Sequence, residues 1–172
     1  MGYDQTKQEV KLGNRTFYTS ASHTWYRSGF IDKAGKVVID AKFADVSEFH
    51  DGIAVAAIPI MSEWKYGFID KQGGWVIQPQ FDHANQFSEG LALVFVNGKY
   101  GFIDRSGKMV IKPNLSSARD FSEGLSCVKL GGDVIKPVGM STHRNNADYA
   151  FIDYTGKIKF KVGRGGCRSF SE

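Results

Sequence analysis

The sequence predicts an all-β chain of tandem repeats, each an antiparallel meander of about three strands. Three observations carry this. One four-residue motif, Gly-Phe-Ile-Asp or a close variant, recurs four times. Glycine is abundant, at 20 of 172 residues, and falls at fixed places after the motif. Aromatic residues reach 13%, with 13 Phe among them. Glycine supplies turns with unusual backbone angles, and aromatic side chains pack well on pleated surfaces. Short strands joined by tight turns follow.

The motif stands at Gly29-Phe30-Ile31-Asp32, Gly67-Phe68-Ile69-Asp70 and Gly101-Phe102-Ile103-Asp104, with Ala150-Phe151-Ile152-Asp153 as a fourth copy. Three residues after each Asp comes a glycine: Gly35, Gly73, Gly107 and Gly156. A Phe lies at a constant distance from each motif start: Phe49, Phe87, Phe121 and Phe170. An acidic residue follows two later: Asp51, Glu89, Glu123 and Glu172. In the first three copies Gly and an aliphatic residue come next: Gly52-Ile53, Gly90-Leu91 and Gly124-Leu125. Motif starts are 38, 34 and 49 residues apart. All length variation falls between the Gly-aliphatic segment and the next motif. The 34-residue spacing is the bare repeat, and the other two carry insertions near 59–65 and 131–148.

The elements read off in order. Leu91-Ala92-Leu93-Val94-Phe95-Val96 is an apolar, β-branched run. Asn97-Gly98 after it is a strong hairpin signal, and Tyr100-Gly101-Phe102-Ile103 is the returning strand. Asp104-Arg105-Ser106-Gly107 reverses the chain again, with Asp accepting turn amides and Gly taking positive φ. Lys108-Met109-Val110-Ile111-Lys112 is a third strand, ended or held at an edge by Pro113. Between this strand and the next hairpin, apolar residues recur every third position: Phe43, Val46, Phe49; Phe81, Ala84, Phe87; Leu115, Ala118, Phe121. That period suits a 3₁₀ or helical turn packed on the sheet. Val10 to Tyr18 around Gly13-Asn14 reads as a further hairpin, a cap within 1–24. The four repeats then occupy 25–58, 63–96, 97–130 and 147–172, the last incomplete. A propeller blade usually holds four strands in about 40 residues or more. Three strands in the bare repeat favour an open, curved, solenoid-like array, with a propeller-like arrangement as the alternative.

The junction Val96-Asn97-Gly98-Lys99-Tyr100-Gly101-Phe102-Ile103-Asp104 resembles the bacterial WG repeat, also called the KWG repeat. Val76-Ile77-Gln78-Pro79-Gln80-Phe81 and Phe87-Ser88-Glu89-Gly90-Leu91 resemble it too. The likeness runs from about Trp25 to the C-terminus. Tyr or Ser precedes the key glycine here, where the family often has Trp, and copy four departs after Ile158. The resemblance implies a β-rich repeat with no general known activity, serving as a binding or scaffold module.

Composition excludes several classes. Hydrophobic residues make up 42% and charged residues 23%, close to the globular average. The net charge of +4 is spread without a basic stripe, so no nucleic-acid partner is expected. No apolar run approaches a membrane span, so no membrane is expected either. The polar N-terminus lacks a signal-peptide core, which favours the cytoplasm.

The candidate chemistry is thin. Asp32, Asp70, Asp104 and Asp153 recur once per repeat, as turn caps do and catalytic residues do not. Asp51, Glu89, Glu123 and Glu172 precede a Gly turn in the same way, with a cation ladder as the alternative. Cys127 lies in frame with Val55 and Leu93, and Cys167 with Val46, Ala84 and Ala118, so both read as small core residues. His23, His50, His83 and His143 form no ligand spacing. Gly163-Arg164-Gly165-Gly166 follows neither the dinucleotide nor the P-loop pattern. No catalytic residue, cofactor or metal is expected. The expected function is a non-catalytic module for protein–protein interaction or scaffolding. Its alternative is a carbohydrate-binding or carbohydrate-active protein gripping sugars with Trp25, Trp64 and Trp75. Function particular to this chain should lie where copies differ. The insertions present Met61 and Trp64, and His143, Arg144, Asn145 and Asn146, as candidate partner-binding residues. Self-association through the incomplete last repeat is a further expectation.

Overall fold

A computed structural model describes residues 8–12, 15–19, 27–130 and 148–162. The chain is all-β, a tandem series of open antiparallel meanders, with no helix among the described residues. It divides into two compact units, Met1–Asp82 and His83–Glu172. The first unit holds two sheets. One runs in order β1 (Gln8–Leu12), β2 (Arg15–Thr19), β3 (Arg27–Ile31) and β4 (Val37–Phe43). The other is β5 (Asp45–Val46), β6 (Ile53–Ile60), β7 (Glu63–Asp70) and β8 (Trp75–Phe81). The second unit repeats the scheme. Its sheets are β9 (His83–Ser88), β10 (Leu91–Val96), β11 (Lys99–Asp104) and β12 (Met109–Leu115), then β13 (Ser117–Ala118), β14 (Ser126–Leu130), β15 (Asp148–Ile152) and β16 (Ile158–Val162). The expected cap hairpin is β1–β2, which pairs onto β3 and completes the first sheet.

Each sheet has four strands, one more than the sequence predicts. The extra strand is the segment whose apolar residues recur every third position. It is extended, not helical. In β9, Ala84 faces Val94 and Phe87 faces Ala92, so three residues on β9 span two on β10. A regular strand puts every second residue on one face. One bulged residue turns that period of two into three, and both Ala84 and Phe87 are buried. A β-bulge therefore wrote the pattern that suggests a helical turn.

The motif glycine answers to a second irregularity. Tyr66 pairs with Phe81 and Phe68 with Ile77. Gly67 alone thus faces Gln78, Pro79 and Gln80. The bulged backbone lies against it so closely that a Cβ on Gly67 would sit 2.5 Å from the Ile77 carbonyl oxygen and 2.8 Å from the Pro79 nitrogen. On Gly101 it would sit 2.7 Å from the Ile111 carbonyl oxygen, and Gly29 meets the Ile39 carbonyl in the same way. The fourth copy has Ala150 and no such bulge: Tyr149, Ala150 and Phe151 pair in steady register with Val162, Lys161 and Phe160.

The motif Asp caps the next turn in all four copies. The Oδ1 atoms of Asp32, Asp70, Asp104 and Asp153 accept the amides two and four residues on, at 2.9–3.1 Å. In the last two copies the hydroxyls of Ser106 and Thr155 also donate to the carboxylate, at 2.6 Å. These bonds hold the Asp104 and Asp153 carboxyls below the usual carboxylate range.

The motif Phe and Ile side chains form the core. In the first unit Phe30, Ile39, Phe43, Val46, Ala54, Ala56 and Ile69 pack together. In the second, Phe102, Ile111, Leu115, Phe121 and Ile152 are part of one cluster. Phe87 and Phe121 are buried. Phe49, at the same frame position, is only half-buried, though its ring lies 4.6 Å from that of Phe30. Cys127 is buried with the core, as expected, but it is disulfide-bonded and not a plain thiol. The chain's other cysteine, Cys167, lies outside the described residues.

Two stability results follow. Gly67→Ala should cost roughly 4 kcal/mol or more, because backbone has to move, while Ala150→Gly should cost about 1 kcal/mol. Urea melts that rank the two the other way would show that the bulge is not what selects glycine. Phe87→Ala should cost about 3–5 kcal/mol, and Asp70→Ala, the loss of a local cap, about 1 kcal/mol. The same melts check that packing outweighs capping.

Candidate functional site

The clearest departure from the repeat is the β6–β7 hairpin. Its strands are eight residues long, against six in the equivalent β10–β11 hairpin. The four-residue insertion adds two residues to each strand. Pairing continues without a break through Ile58↔Lys65, Pro59↔Trp64 and Ile60↔Glu63. At about 3.3 Å per residue the tip reaches ~7 Å beyond the bare repeat.

The bare repeat turns at Asn97-Gly98, with φ of 50° and 79°, which suits both residue types. The long hairpin turns at Met61, with φ of 56°. Left-handed backbone is rare for an unbranched apolar side chain and costs free energy. Met61 is fully exposed (100%), Trp64 is 47% exposed and Ile60 39%. Trp64 stands opposite Pro59, whose missing N–H cannot join the ladder. A narrow apolar surface results, spread over both faces and the tip.

Lys65 fixes the base of this extension. Its Nζ donates to Asp82 Oδ1 at 2.6 Å and Glu63 Oε2 at 2.7 Å. The hydrogen bond to Asp82, then that to Glu63, raises its pKa above the usual lysine value. Asp82 lies at the end of β8, so the bridge ties the hairpin to its own sheet.

Other expected residues fall elsewhere. His143, Arg144, Asn145 and Asn146 lie outside the described residues, as do His23, Trp25 and the Gly163-Arg164-Gly165-Gly166 segment. The structure does show where their insertion enters. Leu130↔Asp148 closes β14–β15 as Val96↔Lys99 closes β10–β11, so residues 131–147 replace a two-residue turn. Trp75 is half-buried and packs edge-on to Phe43 at 5.5 Å, against the core of the first unit. His50 and His83 are exposed. Asp51, Glu89 and Glu123 have φ of 49–54° and each precedes a left-handed glycine, the geometry of a tight hairpin turn. Glu89 does more than the sequence suggests. Its Oε2 accepts the Gly124 amide at 3.0 Å and the Tyr154 hydroxyl at 3.1 Å, linking successive sheets of the second unit. Burial, with Glu89 beside it, raises the Tyr154 pKa. Among the described residues no three His, Cys, Asp or Glu side chains are grouped to hold a metal ion.

Sequence comparison agrees with this repeat geometry. Residues 29–58, 66–100 and 100–132 match the WG-containing repeat. The chain belongs to the WG-containing repeat family. The third WG-repeat match begins at the second residue of β11, takes in β12 and β13, and ends just past β14. No curated protein matches the chain. Among solved structures, a protein of unknown function from Bacteroides caccae is similar at 13% identity, with a TM-score of 0.37, over 95% of this chain and 64% of the other. The chain therefore spans less than two thirds of that protein.

The hairpin tip carries strain that a better turn residue removes. Met61→Asn should raise stability by about 1 kcal/mol, since Asn tolerates left-handed φ. A urea midpoint that stays put or falls would show that Met61 makes a compensating contact.

Proposed function

We propose that this WG-repeat chain is a non-catalytic module that binds another protein, with the β6–β7 hairpin tip as its contact. One observation carries the reading. A strained and fully exposed Met61 sits beside exposed Trp64 and Ile60, on a hairpin that the repeat does not need at that length. Packing explains none of these choices. Exposed tryptophan anchors recognition surfaces, and methionine adapts to irregular ones. Even pairing along the extension and the Lys65 bridge hold the tip in one geometry, which lowers the entropy lost on binding.

The recurrent acids support the same reading, since each motif Asp is spent on capping its own turn.

The test replaces residues 59–64 with Asn-Gly, which joins Ile58 to Lys65 through the turn of the bare repeat. The shortened protein should keep its urea midpoint to within about 1 kcal/mol, as for a surface change. A photo-crosslinker placed at position 64 should trap one partner in the intact protein. That partner should fail to co-purify with the shortened one. Undiminished co-purification would remove the hairpin from the binding surface.

A further inference from the structure

In the first unit, the turn between β7 and β8 lies on β4 of the preceding sheet. Gly73 meets the Ile39 side chain so closely that a Cβ there would be 2.8 Å from Ile39 Cγ2. Lys42 Nζ donates to the Gly73 carbonyl at 3.1 Å alongside. In the second unit, Gly156 between β15 and β16 lies in the same way on Ile111 of β12, at 3.5 Å. Ile39 and Ile111 are 4% and 8% exposed as a result. Each of these isoleucines is paired with its motif Phe, as Phe30↔Ile39 and Phe102↔Ile111. The rule is that a turn glycine of one repeat seats on the outer-strand aliphatic residue of the repeat before it.

Two positions break the rule, one at each end of the described chain. Gly35 is the turn glycine of the first motif, and no described residue lies within 4 Å of its missing side chain. Phe160 is the outer-strand residue of the last, paired with Phe151 as Ile39 is with Phe30. It is 61% exposed where its counterparts are buried. One copy therefore offers an unseated turn and an uncovered apolar seat, on different sheets.

We propose that a second copy of this chain occupies that seat: copies join head to tail, with the Gly35 turn of one on Phe160 of the next. The contact continues the interface already made between repeats inside each unit. Glycine at position 35 leaves room for a ring larger than isoleucine. A contact between two different patches is heterologous, so each added copy brings a further free end, and the assembly grows until it closes into a ring or runs on as a filament. Charge sets its salt dependence. Lys33 and Lys36 flank Gly35, and Lys159 and Lys161 flank Phe160. Like charges oppose the approach and are screened by salt, so association strengthens as ionic strength rises. The surface is separate from the β6–β7 hairpin tip, and shortening that hairpin leaves it intact.

Sedimentation velocity of the full chain from micromolar to millimolar concentration tests this. The mass should grow past a dimer with concentration, and further with added sodium chloride. Phe160→Glu and Gly35→Asn should each be monomeric alone, the second because Asn keeps the left-handed turn while adding bulk. Each variant retains one working end. An equimolar mixture should therefore form a one-to-one dimer and stop there. A wild-type chain that stays monomeric throughout overturns the proposal. So does a wild-type dimer that never grows, or a mixture of folded variants that forms no dimer. If a variant fails to fold, the wild-type series decides alone: growth past a dimer supports the contact, and its absence overturns it.

Discussion

In each of the first three repeats a motif glycine lies hard against the bulged strand beside it. Gly67 faces three residues of β8 at a separation that leaves no room for a methyl group. From this follow the positions of several side chains. A second slip in the same pairing, between Phe68↔Ile77 and Ile69↔Trp75, leaves Val76 without a partner. Val76 is 44% exposed, and its counterparts Val38 and Val110 are 52% and 40% exposed. These three exposed valines are thus bulge residues, left outward by the pairing. The bulges also keep outer strands irregular, and Pro79 and Pro113 remove donors there, two devices that discourage pairing with foreign strands. Copy four has neither the first bulge nor the proline, and it is also the copy with alanine in place of glycine.

Sheets within a unit are joined by small groups. In the second unit Ser88 Oγ donates to the Phe121 carbonyl at 2.7 Å, and Asn85 Nδ2 reaches both carboxylate oxygens of Asp120 at 3.0 Å. Desolvation in this packing raises the Asp120 pKa despite the Asn85 bond. Around these bonds lie rings: Phe121 sits 4.8 Å from Phe102 and 4.9 Å from Tyr154. The ring contacts carry most of the stability of the junction, because buried aromatic area outweighs single net hydrogen bonds of about 1 kcal/mol. The polar bonds fix which residue meets which.

The repeat, its turns and its caps were legible because each depends on local chemistry. An Asp that must accept two amides of its own turn, or a Gly with left-handed φ, marks its position in one short window. The fourth strand was not legible as a strand. Its bulge shifts Ala84 and Phe87 onto one face, and three-residue spacing in a single sequence reads equally as a helical turn. The motif glycine was visible, but its reason was not, since the atoms it would strike belong to a strand about ten residues away. Phe160 was missed for a related cause. It lies in frame with Ile39, Ile77 and Ile111, and the frame alone does not show that it is exposed where they are buried. Cys127 read as a small core residue because its frame position is buried, and burial says nothing about a bond to sulfur.

Insertion length explains why the β6–β7 tip is rigid enough to matter. Side chains alternate faces with a period of two, so adding one residue to a strand turns its whole outer half over. Two residues added to each side preserve every face. The extension can then stay paired to Ile60↔Glu63, with Lys65 on the same side as before and able to reach Asp82. An odd insertion would have needed a bulge or an extra turn residue to keep those faces. Held by a continuous ladder, the apolar tip keeps one fixed geometry.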